Sequence, residues 1–122
     1  MKISVITVCL NSATTIGDTL RSVQDQSHEQ REHIVVDGGS TDGTLDLIAK
    51  VRDATCQVVS EADSGIYDAM NKGIRLATGD FVGCLNADDF FATPSVLAEI
   101  AETATPPDVD AVYGDIVYVD RD

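Results

Sequence analysis

Short apolar runs alternate with amphipathic segments along this chain. The runs are rich in Val and Ile and end at polar or glycine-containing segments, which favours buried strands. Between them apolar residues recur three or four positions apart, as Ile16, Leu20 and Val23 do, and this spacing predicts helices. The predicted strands are Lys2–Val8, His33–Val36, Cys56–Val59, Asp80–Leu85 and Ala111–Asp120. The predicted helices start near Ser12, cover Thr44–Arg52 and about Ile66–Ala77, and start again at Thr93-Pro94.

The order of these elements predicts the fold class. Four alternations of strand and helix are typical of an α/β protein, a three-layer α/β/α sandwich with a mostly parallel sheet. Gly73, inside the third predicted helix, indicates a close backbone approach. Ligands of such sheets bind beyond the carboxyl ends of the strands. Those ends are Cys9–Asn11, Asp37–Ser40, Glu61–Gly65 and Asn86–Asp89, and three of the four carry carboxylates.

The composition limits the classes of function. With 122 residues, the chain is one domain at most. Its formal charge of −13 argues against nucleic-acid binding, which needs a basic surface. No apolar run approaches the roughly 20 residues of a membrane span, and the amino-terminal segment is a predicted strand rather than a signal peptide. We therefore expect a cytoplasmic protein with no transmembrane segment in this chain. Cys9, Cys56 and Cys84 are widely spaced and are expected to be buried thiols.

The segment Gly79–Phe91 holds the strongest candidate for chemistry. Its apolar run ends in Asn86, Ala87, Asp88 and Asp89, so that two adjacent carboxylates stand at a strand end. Adjacent carboxylates repel each other, and a hard divalent cation such as Mg²⁺ or Mn²⁺ would offset that repulsion. The alternative is structural, because Asp88 or Asp89 could cap the next helix or form a turn. From the residues alone, both explanations stay open.

Four linked blocks of the sequence resemble a known family. They are VITVCLN, IVVDGGSTDGT, SEADSGIYDAMNKGI and ATGDFVGCLNADD, and the similarity extends over residues 1–118. In this order and spacing they are similar to the family 2 glycosyltransferases with the GT-A nucleotide-sugar-binding fold, particularly bacterial enzymes that build polysaccharide. The resemblance implies metal-assisted transfer of a sugar, with inversion, from a nucleoside-diphospho-sugar donor to a glycan or lipid-linked acceptor. It also implies a full-length protein that is peripheral at the inner face of the membrane.

The resemblance further implies roles for individual residues. Residues Thr7–Asn11 and Asp37–Ser40 would form the nucleoside pocket, and the segment from Asp63 to Asn71 would shape the donor-sugar region. Tyr67 lies in that segment, although core packing is an equal alternative for it. Asp88, with Asp89 in support, would bind Mn²⁺ or Mg²⁺, because Asn86-Ala87-Asp88 stands where the family has its Asp-x-Asp metal motif. The residues assigned to the donor are Thr7, Val8, Asn11, Asp37, Gly38, Ser40, Asp63, Asn71, Asn86 and Ala87.

The chain departs from the family pattern at three points. Many relatives carry two acids after the second strand, and the second of them reads the base of the nucleotide. This chain has Asp37-Gly38 there, so base recognition, and with it donors other than uridine nucleotides, stays open. Asn86 replaces the first acid of the metal motif. The third departure is that the family's catalytic base lies beyond the last predicted strand, where only two residues of this chain remain.

The place of the catalytic base bears on the domain organisation. We expect the base beyond Asp122, the last residue of this sequence, because His28 and His33 are expected to be exposed or capping. We therefore expect residues 1–122 to be a single donor-binding domain that is truncated at its carboxyl-terminal side. An exposed sheet edge and self-association would follow.

Other functions match the sequence less well. A sugar-phosphate nucleotidyltransferase needs a glycine-rich loop after the first strand, where this chain has Cys9-Leu10-Asn11-Ser12. A dinucleotide oxidoreductase needs a G-x-G-x-x-G motif at the same place. A phospho-acceptor receiver domain needs an acidic pair after the first strand, and only the region of Asp63 fits its pattern. A catalytically inactive nucleotide-binding module stays open.

Overall fold

Strands and helices alternate in the structure, a computed structural model that describes residues 1–114 and 117–119. The strands are β1 (Ile3–Cys9), β2 (Arg31–Asp37), β3 (Cys56–Ser60) and β4 (Phe81–Cys84). The helices are α1 (Ile16–Gln24), α2 (Thr44–Val51), α3 (Ile66–Leu76) and α4 (Val96–Ala104). In the described residues, none of the helices is long and apolar enough to cross a membrane.

The strands found in the described residues form one parallel sheet in the order β3-β2-β1-β4. The carboxyl ends of β1 and β2 are level, because Cys9 lies opposite Asp37. On the other side of β1, Ile6 lies opposite Cys84, the last residue of β4. The strand order therefore reverses beside β1, with β2 and β3 on one side and β4 on the other. Such a reversal opens a crevice beyond the carboxyl ends of the two strands, here β1 and β4.

Helices cover both faces of the sheet. Successive side chains of a strand point to opposite faces, so Val35 of β2 packs against α1 and α2 while Val36 packs against α3. α4 joins the layer of α1, because Leu97 and Val23 belong to one buried cluster with Ile3 and Val5 of β1. This arrangement confirms the predicted three-layer α/β/α sandwich. The fully buried core residues include Ile6, Ile16, Leu20, Val23, Ile34, Val35, Val36, Ile48 and Leu97.

The approach of α3 to the sheet explains the glycine in that helix. A Cβ atom built on Gly73 would lie only 2.5 Å from Cγ2 of Ile6. Any larger residue would therefore push α3 away from β1. Glycine inside a helix is up to about 1 kcal/mol less favourable than alanine, and here it permits close packing. The backbone of α3 therefore approaches the sheet closely, as expected, and what it meets there is the side chain of Ile6.

Several predicted boundaries differ from the observed ones. α1 begins at Ile16 instead of near Ser12, because the carbonyl of Ser12 accepts hydrogen bonds from the amides of Thr15 and Ile16 in a turn before the helix. α4 begins at Val96 rather than at Thr93.

The predicted strand at 111–120 is wrong for residues 111–114 and 117–119, which have no regular secondary structure. Its remaining positions, 115, 116 and 120, lie outside the described residues. Asp122, beyond which the catalytic base is expected, also lies outside them. The expected place of the base is therefore a prediction that the described residues do not reach.

Three side chains lie in surroundings other than the predicted ones. His33 is buried, with 2% of its surface exposed, because β2 lies between β1 and β3. Cys84 is exposed, whereas Cys9 and Cys56 are buried as expected. The reason is that β4 pairs only with β1 in the described part of the chain and so forms an edge of the sheet. Tyr67 is 78% exposed, which excludes a role in core packing.

Candidate functional site

A cleft of about 480 Å³ opens beyond the ends of β1 and β4, at the crevice that the strand order creates. The segment after β1, the segment before α3 and the loop after β4 contribute its walls. Val8, Asp63, Asn86, Ala87 and Asp88 line it, so half of its lining consists of residues that the sequence assigned to the site. The complete lining is Val8, Cys9, Leu10, Ser12, Asp63, Gly65, Ile66, Asn86, Ala87 and Asp88.

Asp88 presents a carboxylate without a protein partner to this cleft. Its side chain is exposed. Within residues 1–114 and 117–119, no group forms a hydrogen bond or an ion pair with its carboxylate. Asp89 is also exposed but does not line the cleft, and its amide donates to the carbonyl of Asn86 at 3.0 Å in a turn. The two adjacent acids are therefore placed differently.

The oxygen donors around Asp88 can be compared with what a metal ion needs. Among the described residues, no three His, Cys, Asp or Glu side chains converge closely enough to enclose a metal ion. A zinc-type site is therefore not found in this part of the chain. Mg²⁺ and Mn²⁺ commonly take one or two carboxylates and complete their shell with water and phosphate oxygens. A single accessible carboxylate on an open cleft fits that second kind of site.

Asp63 reaches from the segment before α3 toward the end of β2. Its Oδ1 accepts a hydrogen bond of 3.1 Å from the amide of Gly65, which turns the chain into the helix. A Cβ atom built on Gly38 would lie 2.9 Å from Oδ2 of Asp63. The glycine after Asp37 therefore leaves the space that the Asp63 carboxylate uses. The departure from the family's two-acid pattern is thus linked to the position of Asp63.

Asp37 is fully buried and holds the loop after β2. Its Oδ2 accepts the amides of Gly39 and Ser40 at 3.0 Å each and the hydroxyl of Ser60 at 2.9 Å, while its Oδ1 accepts the hydroxyl of Ser40. Burial acts to raise the pKa of Asp37, but these hydrogen bonds outweigh it and hold the pKa below its ordinary value. Because Ser60 ends β3, Asp37 also ties two strand ends together. It supports the cleft without lining it.

Asn11 connects the loop after β1 with the loop after β2. Its amide donates to Oγ of Ser40 at 2.8 Å, and its Oδ1 accepts the amide of Thr41 at 2.8 Å. Its φ of 50° lies in the left-handed region, which asparagine adopts more readily than most residues. Thr7 is fully buried and shares a hydrogen bond with His33, so its side chain does not reach the cleft. Of the residues assigned to the nucleoside on β1 and just after it, Val8 lines the cleft, whereas Thr7 and Asn11 do not.

Lys72 of α3 orders the acidic segment before that helix. Its Nζ lies 3.2 Å from the carboxylate of Glu61 and 3.6 Å from that of Asp68, and it donates to the carbonyl of Ala62 at 3.3 Å. These ion pairs hold the pKa of Lys72 above its ordinary value although desolvation opposes the shift. The side chain of Lys72 thus links the end of β3 to the first turns of α3, on either side of Asp63.

The cleft includes residues that the sequence covered only as part of a segment and did not assign individually. Leu10 and Ile66 are 59% and 55% exposed, and both line the cleft beside its polar groups. Helical periodicity treats Ile66 as the first apolar residue of α3, so its exposure gives no signal in the sequence. Ser12 also lines the cleft, while its amide donates to the hydroxyl of Thr44 at 2.8 Å. Asn71, which the resemblance assigned to the donor, is exposed on α3 and does not line the cleft.

A second cleft, of about 410 Å³, lies between α1 and the segment Phe90–Pro94. It is lined by side chains of both signs, among them Asp18, Arg21 and Asp25. None of the residues assigned to the donor or the metal lines it. The candidate site is therefore the cleft that holds Asp63 and Asp88.

A family model described as glycosyl transferase family 2 matches residues 4–122. The chain belongs to this family. The match confirms the resemblance seen in the four sequence blocks, and it does not favour a nucleotidyltransferase, a dinucleotide oxidoreductase or a receiver domain.

Several family 2 relatives are similar to this chain over most of its length. An uncharacterized glycosyltransferase of Mycobacterium tuberculosis is 40% identical over 101 residues, covering 82% of this chain and 38% of the relative. The PGL/p-HBAD biosynthesis glycosyltransferase of Mycobacterium bovis is 37% identical, covering 93% and 46%. The putative teichuronic acid biosynthesis glycosyltransferase TuaG of Bacillus subtilis is 42% identical over 90 residues, covering 71% and 36%. The chain thus spans less than half the length of these relatives.

Solved glycosyltransferase structures share the fold. The S. aureus protein TarS, in complex with UDP, superimposes with a TM-score of 0.77 at 33% identity, covering 84% of this chain and 31% of the TarS chain. The mannosyltransferase PcManGT from Pyrobaculum calidifontis, in complex with GDP-Man and Mn²⁺, superimposes with a TM-score of 0.78 at 27% identity, covering 87% of this chain and 33% of the other. The predicted GT-A fold is confirmed.

Proposed function

We propose that this chain forms the donor-binding part of a glycosyltransferase that takes a sugar from a nucleoside-diphospho-sugar, with inversion, for the synthesis of polysaccharide or another cell-envelope glycan. One observation carries the proposal: Asp88 places an exposed carboxylate without a protein partner among the described residues at the crevice between β1 and β4. That crevice is where open α/β sheets bind nucleotides. Family membership and the nucleotide complexes of TarS and PcManGT support the same assignment.

A divalent cation, Mn²⁺ or Mg²⁺, belongs to this proposal. Asp88 would hold it, and Asp89, the adjacent exposed acid, is the candidate for a second carboxylate. When bound, such a cation neutralises developing charge on the phosphate leaving group. With a formal charge of −13, the protein repels a pyrophosphate unless a cation or backbone amides offset that repulsion. The PcManGT complex with Mn²⁺ supports the choice of a divalent ion.

The remainder of the cleft would bind the nucleoside and the sugar. Leu10 and Ile66 offer exposed apolar surface on which a planar base can pack, and such packing is worth more than a solvent contact because it buries apolar area. Asp63 would accept a hydrogen bond from the base or the sugar, since it is the other accessible carboxylate of the lining. The loop after β2, which the hydrogen bonds of Asp37 hold in place, would support these contacts without lining the cleft.

The acceptor site and the catalytic base belong, in this proposal, to the part of the relatives' length that this chain does not span. A base beyond Asp122 stays a prediction, and neither histidine of the chain fits that role. His33 is buried against Thr7, and Nε2 of His28 lies 2.8 Å from the carbonyl of Met1, away from the cleft lining. Donor base, acceptor, self-association and a cytoplasmic location stay predictions as well.

Nucleotide binding with and without Mn²⁺ tests the proposed function. Thermal unfolding of the purified protein would be followed with UDP, GDP, ADP and their monophosphates. We expect at least one diphosphate to raise the Tm in a Mn²⁺-dependent manner, because a ligand at 100 times its Kd stabilises the folded state by about 2.7 kcal/mol. The matched monophosphate should show little dependence on Mn²⁺, since it lacks the pyrophosphate that chelates the ion. Equal Tm shifts for the diphosphate and the monophosphate, or no binding of any nucleotide, would refute the proposal.

A further inference from the structure

Three polar side chains on one side of α1 hold the loop that carries Asp88. They are Thr19, Ser22 and Gln26, spaced three and four positions apart, so they follow one another along the same side of the helix and its exit. Thr19 and Gln26 are buried, which is unusual for polar residues unless they have partners. Besides hydrogen bonds to α1 itself, each of the three has a partner among the backbone groups of the segment that follows β4.

Thr19 contacts the backbone on both sides of Asp88. Its Oγ1 lies 2.6 Å from the carbonyl oxygen of Asp89 and 3.0 Å from that of Ala87. The hydroxyl therefore lies within hydrogen-bond distance of two carbonyls that flank the proposed metal ligand, and it lies 3.5 Å from the carbonyl of Thr15 in its own helix. These contacts hold the peptide unit that precedes Asp88 and the peptide unit that follows Asp89.

Ser22 and Gln26 continue the same attachment. The hydroxyl of Ser22 accepts the amide of Phe91 at 3.1 Å. The amide group of Gln26 donates to the carbonyl of Thr93 at 2.8 Å, and its oxygen accepts the amide of Leu97 at 2.9 Å. The chain from the metal motif to the start of α4 is thus held by Thr19 and Ser22 of α1 and by Gln26, just after that helix, rather than by a sheet ladder.

The position of Asp88 depends on this attachment because its carboxylate has no protein partner of its own among the described residues. Residues 86–92 contain neither helix nor strand, so regular hydrogen bonding does not position them. We propose that Thr19 is a positioning residue for the metal site: its hydroxyl sets the backbone on either side of Asp88 and thereby the direction of the carboxylate. This inference rests on the proposed function, in which Asp88 binds the cation.

A matched set of variants tests the role of the hydroxyl. Thr19→Val keeps the size and branching of the side chain but removes the hydroxyl, whereas Thr19→Ser keeps the hydroxyl. Thr103→Val is the control, because the hydroxyl of Thr103 donates only to the carbonyl of Glu99 in its own helix. Isothermal titration of Mn²⁺ into the purified protein with the diphosphate that binds best, and of that nucleotide without Mn²⁺, gives the two affinities needed.

We expect Thr19→Val to weaken the apparent Mn²⁺ affinity by about tenfold, the lower end of what loss of an outer-shell partner does to metal sites. Its metal-free affinity for the nucleotide should stay within about twofold of wild type. Thr19→Ser and Thr103→Val should bind Mn²⁺ as wild type does. Wild-type Mn²⁺ affinity in Thr19→Val, or equal losses with and without Mn²⁺, would overturn the inference.

Two further variants keep the test decisive. Should Thr19→Val not fold, Ser22→Ala takes its place. It removes the acceptor for the amide of Phe91 and should also lower the affinity for Mn²⁺. Unchanged Mn²⁺ affinity would then count against the inference.

Asp88→Ala separates the role of Thr19 from the proposed function. Retained Mn²⁺ dependence in Asp88→Ala contradicts the proposed function itself. Loss of Mn²⁺ dependence there, together with wild-type behaviour of Thr19→Val, contradicts only the role of Thr19.

Discussion

The ring of His33 and the hydroxyl of Thr7 share a buried hydrogen bond, with 2.7 Å between Nε2 and Oγ1. Both side chains lie on the face of the sheet that α1 and α2 cover. Burial lowers the pKa of His33 to about 4, against an opposing effect of the Asp53 carboxylate. The imidazole is therefore neutral in the folded protein at pH 7, and protonating it would place a charge inside the core.

Stability should decrease as the pH is lowered because of this histidine. In the unfolded chain the ring binds a proton below about pH 6.5, whereas in the folded protein it does so only below about pH 4. The unfolded state therefore binds more protons between these values, and the free energy of unfolding decreases as pH falls from 6.5 to 4, by about 3 kcal/mol at most. Urea unfolding followed by circular dichroism at intervals between pH 7.5 and 4.5 measures this slope.

His33→Gln is the control for that measurement, since glutamine can keep a hydrogen bond to Thr7 without titrating. Its profile should be nearly flat in the same window. Asp37 and Glu32, whose pKa values lie below their ordinary values, lose their stabilising effect only at lower pH. A wild-type slope retained in His33→Gln would assign the pH dependence to other groups.

Asp88→Asn should abolish most Mn²⁺-dependent binding of a nucleoside diphosphate. The change keeps the size of the side chain but removes the charge that faces the cleft, and loss of such a charge-stabilising group weakens binding by about 2 to 4 kcal/mol. Asp89→Asn measures the contribution of the adjacent acid, the candidate for a second carboxylate, which is exposed but does not line the cleft. We expect a smaller loss for it by calorimetric titration. Unchanged Mn²⁺-dependent binding in Asp88→Asn would contradict the metal role of Asp88, and equal losses in both variants would show that the two acids share the ion.

The sequence predicts the local features of this site better than its long-range ones. The residues of the metal motif are consecutive, so Asp88 is recognisable without a structure. Thr19 is not, because a helical threonine that holds a loop about 70 positions away looks the same in the sequence as Thr103, which bonds only its own helix. His33 was predicted to be exposed or capping, but it is buried because β2 is an inner strand of the sheet. Strand order is a property of the whole fold, so the sequence around His33 gives no sign of this burial.

Gly38→Asp tests how the chain recognises the nucleoside. The family pattern predicts that a second acid at this position favours uridine nucleotides. Because a Cβ atom here would lie 2.9 Å from Oδ2 of Asp63, any side chain must first displace that carboxylate. Gly38→Ala isolates the effect of displacing the Asp63 carboxylate, and we expect it to weaken the binding of all nucleotides to a similar extent. Gly38→Asp should in addition raise the affinity for UDP relative to GDP. The same ranking of nucleotides in both variants would reject this role for position 38.

One of the three thiols should react in the native chain of 122 residues. Burial raises the pKa of Cys9 to about 12 and that of Cys56 to about 11. Desolvation also raises the pKa of Cys84, but this thiol is exposed on the edge strand β4 and accessible to a reagent. A thiol reagent such as DTNB at about pH 8 should therefore modify Cys84 rapidly and the other two only after unfolding, because the thiolate is the reactive form. Cys84→Ser should remove the fast reaction, and Cys56→Ser should leave it unchanged. Rapid modification of two or more thiols in the native protein would contradict the burial of Cys9 and Cys56.

Gly73→Ala should destabilise the protein although alanine is the better helix former. The gain in helix propensity is up to about 1 kcal/mol, while overpacking a tight contact commonly costs about 1 to 3 kcal/mol. The contact is tight because the new methyl group would lie 2.5 Å from Cγ2 of Ile6. The midpoint of urea unfolding should therefore fall. Gly83→Ala is the control, since nothing lies within 4 Å of its Cβ position, and its midpoint should not fall.

A double-mutant cycle shows whether the contact with Ile6 is the cause. Ile6→Ala alone removes buried methyl groups and should be destabilising by about 2 to 5 kcal/mol. In that background the methyl group introduced by Gly73→Ala enters the space that Ile6 has left, so the substitution should become neutral or stabilising. Equal effects of Gly73→Ala in both backgrounds would mean that the two positions do not interact, and the close packing of α3 on β1 would then not explain the glycine.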